Sequence, residues 1–244
     1  MSSHAGNSGA IDMRSADIET IRDLPLFAGM DDTNFADLMQ AAYLQRFPPH
    51  VQLIAEGDPA DFLYLIVEGC VEMFAETRER RSTIELARPF SAFIVAATLK
   101  DAPYLMSART TERARLLLIP SEDVRVIFER DPGFARSMVY EQATGYRALV
   151  RTLKNQKLRT SVERLANYLL REHAEQGGNG ALTLTIDKRT LAALLGMTPE
   201  NLSRAFGTLK PYGVSVDGAE IRINKLTDLT TFAKPTPLID ESDA

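Results

Sequence analysis

Between Phe47 and Pro120 the apolar residues come in short runs broken by Pro, Gly and Asp: VQLIAEGD, DFLYLIVEG, CVEMFAE, STIELARPF and ARLLLIP. Runs of this length, separated by turn residues at about 8–12-residue spacing, predict the strands of a sandwich or barrel, the jelly roll included. Gly57–Asp58 and Gly69 fall where tight turns ask for residues tolerant of positive φ. Ahead of the strands, Asp17–Arg22 and Asp31–Ala42 read as short helices around LPLFAGM, with Asp31, Asp32 and Thr33 as an N-cap cluster. At Asp131–Pro132 the period changes from two to about 3.6. Asp as N-cap and Pro at the first helical position start a helix there, and no further Pro appears until Pro199.

Along that helix one apolar seam passes through Val139, Gln142, Tyr146, Leu149 and Leu153 at coiled-coil spacing. It is short and holds a polar Gln, so pairing with a second copy and packing onto the chain's own barrel both stay open. A second helix runs from about Ser161 to His173, with Val162, Leu165, Ala166, Leu169 and Leu170 on its apolar side, and EQGGNGA ends it. Leu182, Leu184 and Ile186 then alternate as a short strand does. In DKRTLAALLGMTPENLSRAFGTLKPYGV, Leu191, Leu194 and Leu195 give one helix its apolar face, Gly196 supplies a sharp turn, and Thr198 caps a second helix with Pro199 in its first turn. That second helix carries Leu202, Ala205, Phe206 and Leu209 inward and leaves Glu200, Asn201, Ser203 and Arg204 to solvent. The pattern is a helix-turn-helix, and VSVDGAEIRI, with Asp217–Gly218 between alternating runs, adds the hairpin of a winged helix. The exposed residue types read DNA: Arg bonds guanine O6 and N7, a carboxylate accepts from the cytosine amino group, and hydroxyls and amides hold phosphates or base edges. A capped helix pair with a merely solvated polar face is the competing reading of the bare pattern.

Composition refines this picture. The charged fraction of 25% and hydrophobic fraction of 45% are those of an ordinary globular protein. Net charge is −5, yet residues 150–227 carry 12 Lys and Arg against 7 Asp and Glu, whereas 1–149 carry 15 against 22 and the remainder 1 against 4. The winged-helix segment is therefore the basic one, a weak footprint for phosphate. No window of about 18 apolar residues occurs, and MSSHAGNSGAIDMR lacks the basic start and apolar middle of a secretory signal, so a cytoplasmic protein without a membrane partner is expected. One cysteine, Cys70, permits no intrachain disulfide and cannot hold an iron–sulfur cluster by itself.

Jelly-roll texture, one long helix and a winged helix together resemble the CRP/FNR superfamily over about residues 20–225. LIAEGDPADFLYLIVEGCVEMF is similar to the family's pattern of two turn glycines around a strand, Gly57 and Gly69 here. TPENLSRAF is the more specific match: the family's recognition helix carries a Glu and, four residues on, an Arg, which fall on Glu200 and Arg204, and Ser203 resembles the FNR-like branch. The resemblance implies an α+β chain: a flexible start over 1–16, a cyclic-nucleotide-binding-like sensory jelly roll over 17–130, a dimerisation helix over 131–157, a winged helix-turn-helix over 158–228 and a flexible tail over 229–244. It implies a homodimer on double-stranded DNA at a TTGA-like palindrome, contacted through Lys188, Arg189, Thr198, Pro199, Glu200, Asn201, Ser203 and Arg204, with two recognition helices in successive major grooves about 34–36 Å apart. By family habit it is an activator, with RNA polymerase as a further partner.

The run FSAFIVAATLKDAPYLMSA, residues 90–108, departs from that family. Members that bind cyclic AMP carry there a cassette of the form FIGEL followed by RSA. Phe93, Ile94, Ser107 and Ala108 match it, while Val95 stands at the glycine, Ala96 at the Glu and Met106 at the Arg. A phosphate buried without a cationic partner loses its charge-assisted bonds, which argues against cyclic AMP. Three readings of the pocket stay open: an unknown apolar or aromatic small-molecule effector against Phe93, Ile94, Val95, Ala96, Leu99, Tyr104, Met106 and Ser107; haem, as in gas-sensing relatives; or filled core with no ligand. Haem needs an axial donor, and the candidates are His4, His50, His173, Cys70 and the methionines, with His50 and His173 expected at the surface and Cys70 a small core residue. Metal-dependent chemistry in a jelly roll needs several His and a carboxylate inside the barrel, and the barrel region offers His50 alone, so neither a metal site nor catalysis is expected.

Overall fold

Both faces of the central N-terminal strands are buried, which is why their apolar runs read as continuous. A computed structural model of the chain describes residues 15–78 and 81–241. These fall into two compact units, 15–78 with 84–143, and 81–83 with 144–241. The first holds α1 (Ser15–Arg22), α2 (Asp32–Ala41), β1 (Tyr43–Phe47), β2 (Gln52–Ile54), β3 (Phe62–Glu68), β4 (Val71–Glu76), most of β5 (Arg81–Ala87), β6 (Ala92–Phe93), α3 (Val95–Lys100), β7 (Ser107–Thr110), β8 (Ala114–Pro120), α4 (Ser121–Arg130) and the first turns of α5 (Pro132–Leu158). The strands form a sandwich of two antiparallel sheets, in the orders β1-β8-β3-β6 and β2-β7-β4-β5. Alternate residues of β3 and β8 serve different cores. Tyr64, Ile66, Leu116 and Leu118 pack between the sheets, whereas Leu63, Leu65, Leu117 and Ile119 pack outward under α1, α2, α4 and the start of α5. Each such side chain contributes about 1.5–3 kcal/mol on burial. The expected turn glycines Gly57 and Gly69 both take positive φ, and a Cβ on Gly69 would lie 2.5 Å from the Arg113 carbonyl oxygen.

Asp131 fixes where α5 begins. One carboxylate oxygen accepts from the Phe134 N–H at 2.9 Å; the other accepts from the Asp31 N–H and the Asn34 side chain, each at 2.9 Å. Burial pushes this carboxyl up, but the bonds from Phe134, Asn34, Asp31 and Gly133 outweigh it and hold the group below the usual carboxylate range. A carboxylate whose folded-state pKa lies below the unfolded one contributes its full stabilisation above about pH 4 and loses it as pH falls through the folded value. Acid unfolding of the first unit is therefore expected to be less steep in Asp131→Asn than in the parent chain, with lower stability at neutral pH; equal acid profiles would remove Asp131 from the account.

The second unit continues α5 and adds α6 (Ser161–Glu175), β9 (Ala181–Thr183), α7 (Lys188–Leu194), α8 (Pro199–Leu209), a 3₁₀ turn over Lys210–Tyr212, β10 (Val214–Asp217), β11 (Glu220–Ile223), α9 (Leu226–Ala233) and α10 (Pro237–Asp240). Its small antiparallel sheet has the order β10-β11-β9, and its core is built from Leu165, Leu169, Leu191, Leu202, Phe206 and Leu209 with the apolar residues of the sheet and α9.

Several expectations need correction. Residues 1–14, with His4, lie outside the described residues, but Ser15 and Ala16 already belong to α1. The tail from 229 is not flexible through Glu241: Leu229 and Ala233 are buried in the core and α10 follows, because α9 is amphipathic and α6 offers it a surface. His173 is buried rather than at the surface, its Nε2 accepting from the Gly180 N–H at 2.9 Å, so the GGNG loop folds back over the helix end. The strand pattern also concealed α3 and α4, whose six and ten residues are too short to establish a 3.6 period.

Candidate nucleic-acid interface

Local chemistry sets α7 and α8. The Asp187 side chain accepts from the N–H groups of Arg189 and Thr190, capping α7, and the Thr198 hydroxyl accepts from the Asn201 N–H, capping α8 with Pro199 next in line. Between the helices Gly196 takes φ 66, and a Cβ there would come within 2.7 Å of the Gln156 side chain of α5. The buried Arg164 guanidinium of α6 donates to the Leu195 carbonyl at 2.8 Å and so ties the turn to α6. The sequence does not mark Gln156 and Arg164, since no local pattern identifies a residue whose partner is 40 or 31 positions away.

Of α8, Leu202, Ala205, Phe206 and Leu209 are buried, while Pro199, Glu200, Asn201, Ser203 and Arg204 are exposed. Thr198, Lys188 and Arg189 are exposed too. Lys188 and Arg189 stand in the first turn of α7, where the helix dipole favours acids. Helix stability does not account for two cations there. The Glu200 carboxyl is held below its usual range by its own backbone N–H and the Thr198 hydroxyl, with Arg204 one turn on adding to the effect, so it stands ionised as an acceptor. A cleft of about 300 Å³ opens between α8 and the wing strand β10, with Leu202, Phe206 and Val214 on its walls and Lys188, Ser203 and Lys210 as its polar members. In the wing, Asp217 pairs with Glu220, so the turn residues are Gly218, at φ 59, and Ala219, one place on from the expected Asp–Gly pair.

On α5 the seam residues Tyr146, Leu149 and Leu153 leave 70%, 53% and 57% of their surface exposed, Val139 is exposed as well, and Gln142 is half-buried. A helix face this apolar is at odds with a solvated surface.

The residues grouped for an effector pocket divide between two cores. Val95 and Leu99 turn outward to the core beneath α1, α2 and α4; Phe93, Tyr104, Ile94 and Met106 belong to the core between the sheets, where Phe93 stacks on Tyr64 at 5.2 Å. Ala96 is exposed, and the buried Ser107 hydroxyl accepts from the Glu56 N–H at 3.0 Å. Ile94 has a left-handed backbone conformation (φ 67, ψ 16), uncommon for a β-branched residue, and Val95 begins α3. Cys70 is half-buried, and burial pushes its thiol up, away from the thiolate that ligates or reacts. His50 is exposed. Among the described residues no group of three or more His, Cys, Asp and Glu is arranged to hold a metal ion, and no helix is long and apolar enough to cross a membrane.

A sandwich, a long helix and a capped helix pair with a wing are now in place, and family profiles match them in the same order. The cyclic nucleotide-binding domain matches residues 44–131 and the Crp-like helix-turn-helix domain residues 163–232. The chain belongs to the CRP/FNR family. It is a transcription regulator with a helix-turn-helix DNA-binding domain, not an enzyme. A CRP-like cAMP-activated global transcriptional regulator from Mycobacterium tuberculosis is 22% identical over 86% of this chain and 96% of its own length. A protein of Rhodopseudomonas palustris described as a putative potassium channel protein is 27% identical over 124 residues, half of this chain and only 30% of that protein. Among solved structures, FixK2 from Bradyrhizobium japonicum superposes with a TM-score of 0.66 at 21% identity, covering 83% of this chain and 99% of FixK2, a likeness of fold.

Proposed function

We propose that this CRP/FNR-family protein is a homodimeric activator that binds a palindromic TTGA-like site, and that its effector is not cyclic AMP. The observation that carries the reading is the exposed face of α8, where Glu200, Ser203 and Arg204 stand together beyond a buried apolar face, beside the Lys188–Arg189 pair of α7. The exposed seam of α5 supports pairing of two copies. An effector would act by favouring one placement of the two recognition helices, with leverage no greater than its differential affinity for the two states. As an activator the dimer would also meet RNA polymerase.

Against cyclic AMP stand Ile94, Val95, Ala96 and Met106, which bring no charge to the α3 turn, and the Ser107 hydroxyl, already engaged by Glu56. A second reading, a regulator whose barrel is simply filled, draws support from the division of the pocket residues between two cores. The haem reading gains nothing from the exposed His50, the engaged His173 or the protonated Cys70. Native mass spectrometry with an absorbance spectrum separates the three: a retained small mass supports the effector, a Soret band supports haem, and a clean apo dimer supports the filled barrel.

DNA reading is tested by fluorescence anisotropy on a TTGA palindrome and a scrambled duplex. Arg204→Ala is expected to lower affinity for the palindrome by about 1–3 kcal/mol per half-site and to relax choice at one guanine in each. Lys188→Ala, which removes one cation from each protomer, is expected to weaken both duplexes alike and to reduce the salt slope of the dimer by about two. Uniform weakening by Arg204→Ala would sink its role as a base reader.

A further inference from the structure

Beyond residue 232, where the match to the helix-turn-helix profile ends, the chain turns back along α6 and reaches the joint between α5 and α6. Asn167 of α6 donates to the Ala233 carbonyl at 2.8 Å as α9 ends. Lys154 of α5 donates to the Leu238 carbonyl at 3.2 Å. The Asp240 carboxylate then takes both arms of the Arg159 guanidinium, each at 2.6 Å, and also accepts from the Thr236 N–H at 2.6 Å. This is a fork-to-fork pair in a largely dry place, with 7% of the Arg159 side chain and 22% of the Asp240 side chain exposed.

Arg159 and Thr160 are the only residues between α5 and α6. The Arg159 carbonyl accepts from Arg164 at 2.8 Å, and the same Arg164 holds the Leu195 carbonyl at the entrance to the helix-turn-helix turn. Polar contacts therefore run unbroken from the tail, through the joint, to the element that presents α8. A carboxylate placed only for solubility would not be buried against a guanidinium, since bringing both charges out of water costs several kcal/mol unless geometry and further hydrogen bonds offset it. Burial tends to raise the Asp240 carboxyl, and its bonds from Arg159 and Thr236 more than reverse that.

We propose that residues 234–241 form a strap that locks the α5–α6 joint, so that the end of the long helix and the DNA-reading head move as one body. The strap rests on the DNA-binding reading above and adds to it a means of setting how firmly α5 is coupled to α8. The family profile ends at residue 232, short of the strap, and the sequence alone places these residues in a flexible tail. The only local sequence signal was Thr236–Pro237, the same pair that opens α8 at Thr198–Pro199.

The test uses the full chain with Asp240→Asn, nearly the same shape without the charge, and the exchanged pair Arg159→Asp with Asp240→Arg. Amide hydrogen exchange over 154–164 is expected to rise about tenfold or more in Asp240→Asn. Affinity for the palindrome is expected to fall about three- to tenfold with an unchanged salt slope, and the exchanged pair is expected to recover part of both effects. Unchanged exchange would overturn the strap, as would faster exchange with unaltered affinity. Higher affinity with a steeper salt slope would overturn it too, making the carboxylate a mask that keeps Arg159 from DNA phosphate. Failure of the parent chain to prefer the palindrome would instead sink the DNA-binding reading, before any variant is compared.

Discussion

A protein carrying Leu149→Asp and Leu153→Asp is expected to sediment as a monomer and to lose about 10²–10⁴-fold in affinity for a palindromic site. In the proposed dimer the second half-site is bound as an intramolecular event, and a monomer forfeits that advantage even though its contacts to one half-site are unchanged. The substitutions are chosen because both side chains are more than half exposed in the single chain, so the helix itself gives up little burial. Charge at adjacent turns of a helix–helix seam leaves unpaired carboxylates between two copies, which association does not tolerate. Circular dichroism should therefore remain as in the parent while the sedimentation coefficient drops. A double variant that stays dimeric would place the interface elsewhere and leave the exposed stripe of Val139, Tyr146, Leu149 and Leu153 without a partner.

Alanine at two glycines of α5 is expected to act in opposite directions. A Cβ on Gly133 would be driven into the carbonyl oxygen of Gly29 and would stand 2.6 Å from that residue's carbonyl carbon. Both neighbours are backbone, so no side chain can swing aside. Relief would require the start of α5 to part from the 24–30 turn, breaking the Asp131 contacts with Asp31 and Asn34 and the stack of Phe27 on Phe134. Gly133→Ala is expected to cost about 3 kcal/mol or more. Gly145 meets nothing within 4 Å and has ordinary helical surroundings, so Gly145→Ala is expected to add about 0.5–1 kcal/mol by removing backbone freedom from the unfolded chain. Thermal unfolding of the two variants side by side checks both signs. A small loss at Gly133 would mean that the close approach to Gly29 is not part of the solution structure.

The DNA-reading head was legible because its signals are local. Asp187 and Thr198 cap within three residues of themselves, Pro199 and Gly196 act through their own φ, and the 3.6 period of Leu202, Ala205, Phe206 and Leu209 assigns the opposite face to solvent. The apolar run of residues 90–108 was not legible in the same way. Its hydrophobicity is a property of composition, whereas the direction in which each side chain points depends on the left-handed Ile94 and on a helix only six residues long. Val95 and Leu99 consequently pack in a different core from Phe93, Tyr104 and Met106.

By itself the sequence determined the succession of strand-rich domain, long helix and winged helix, the identity of the recognition helix with Glu200, Ser203 and Arg204 outward, the turns at Gly57, Gly69 and Gly196, and the start of α5 at Asp131–Pro132. Caps, backbone freedom and hydrophobic period are encoded over a few adjacent residues, so no partner need be known. Only the tertiary structure decided that Gly133 faces Gly29, that the pocket residues serve two cores, that Arg164 holds the helix-turn-helix turn, and that Asp240 meets Arg159. Each of these depends on a partner roughly 30 to 100 positions away or on the direction of a side chain set by its neighbours, and the free energy of such a contact exists only once the intervening chain has folded to bring the pair together.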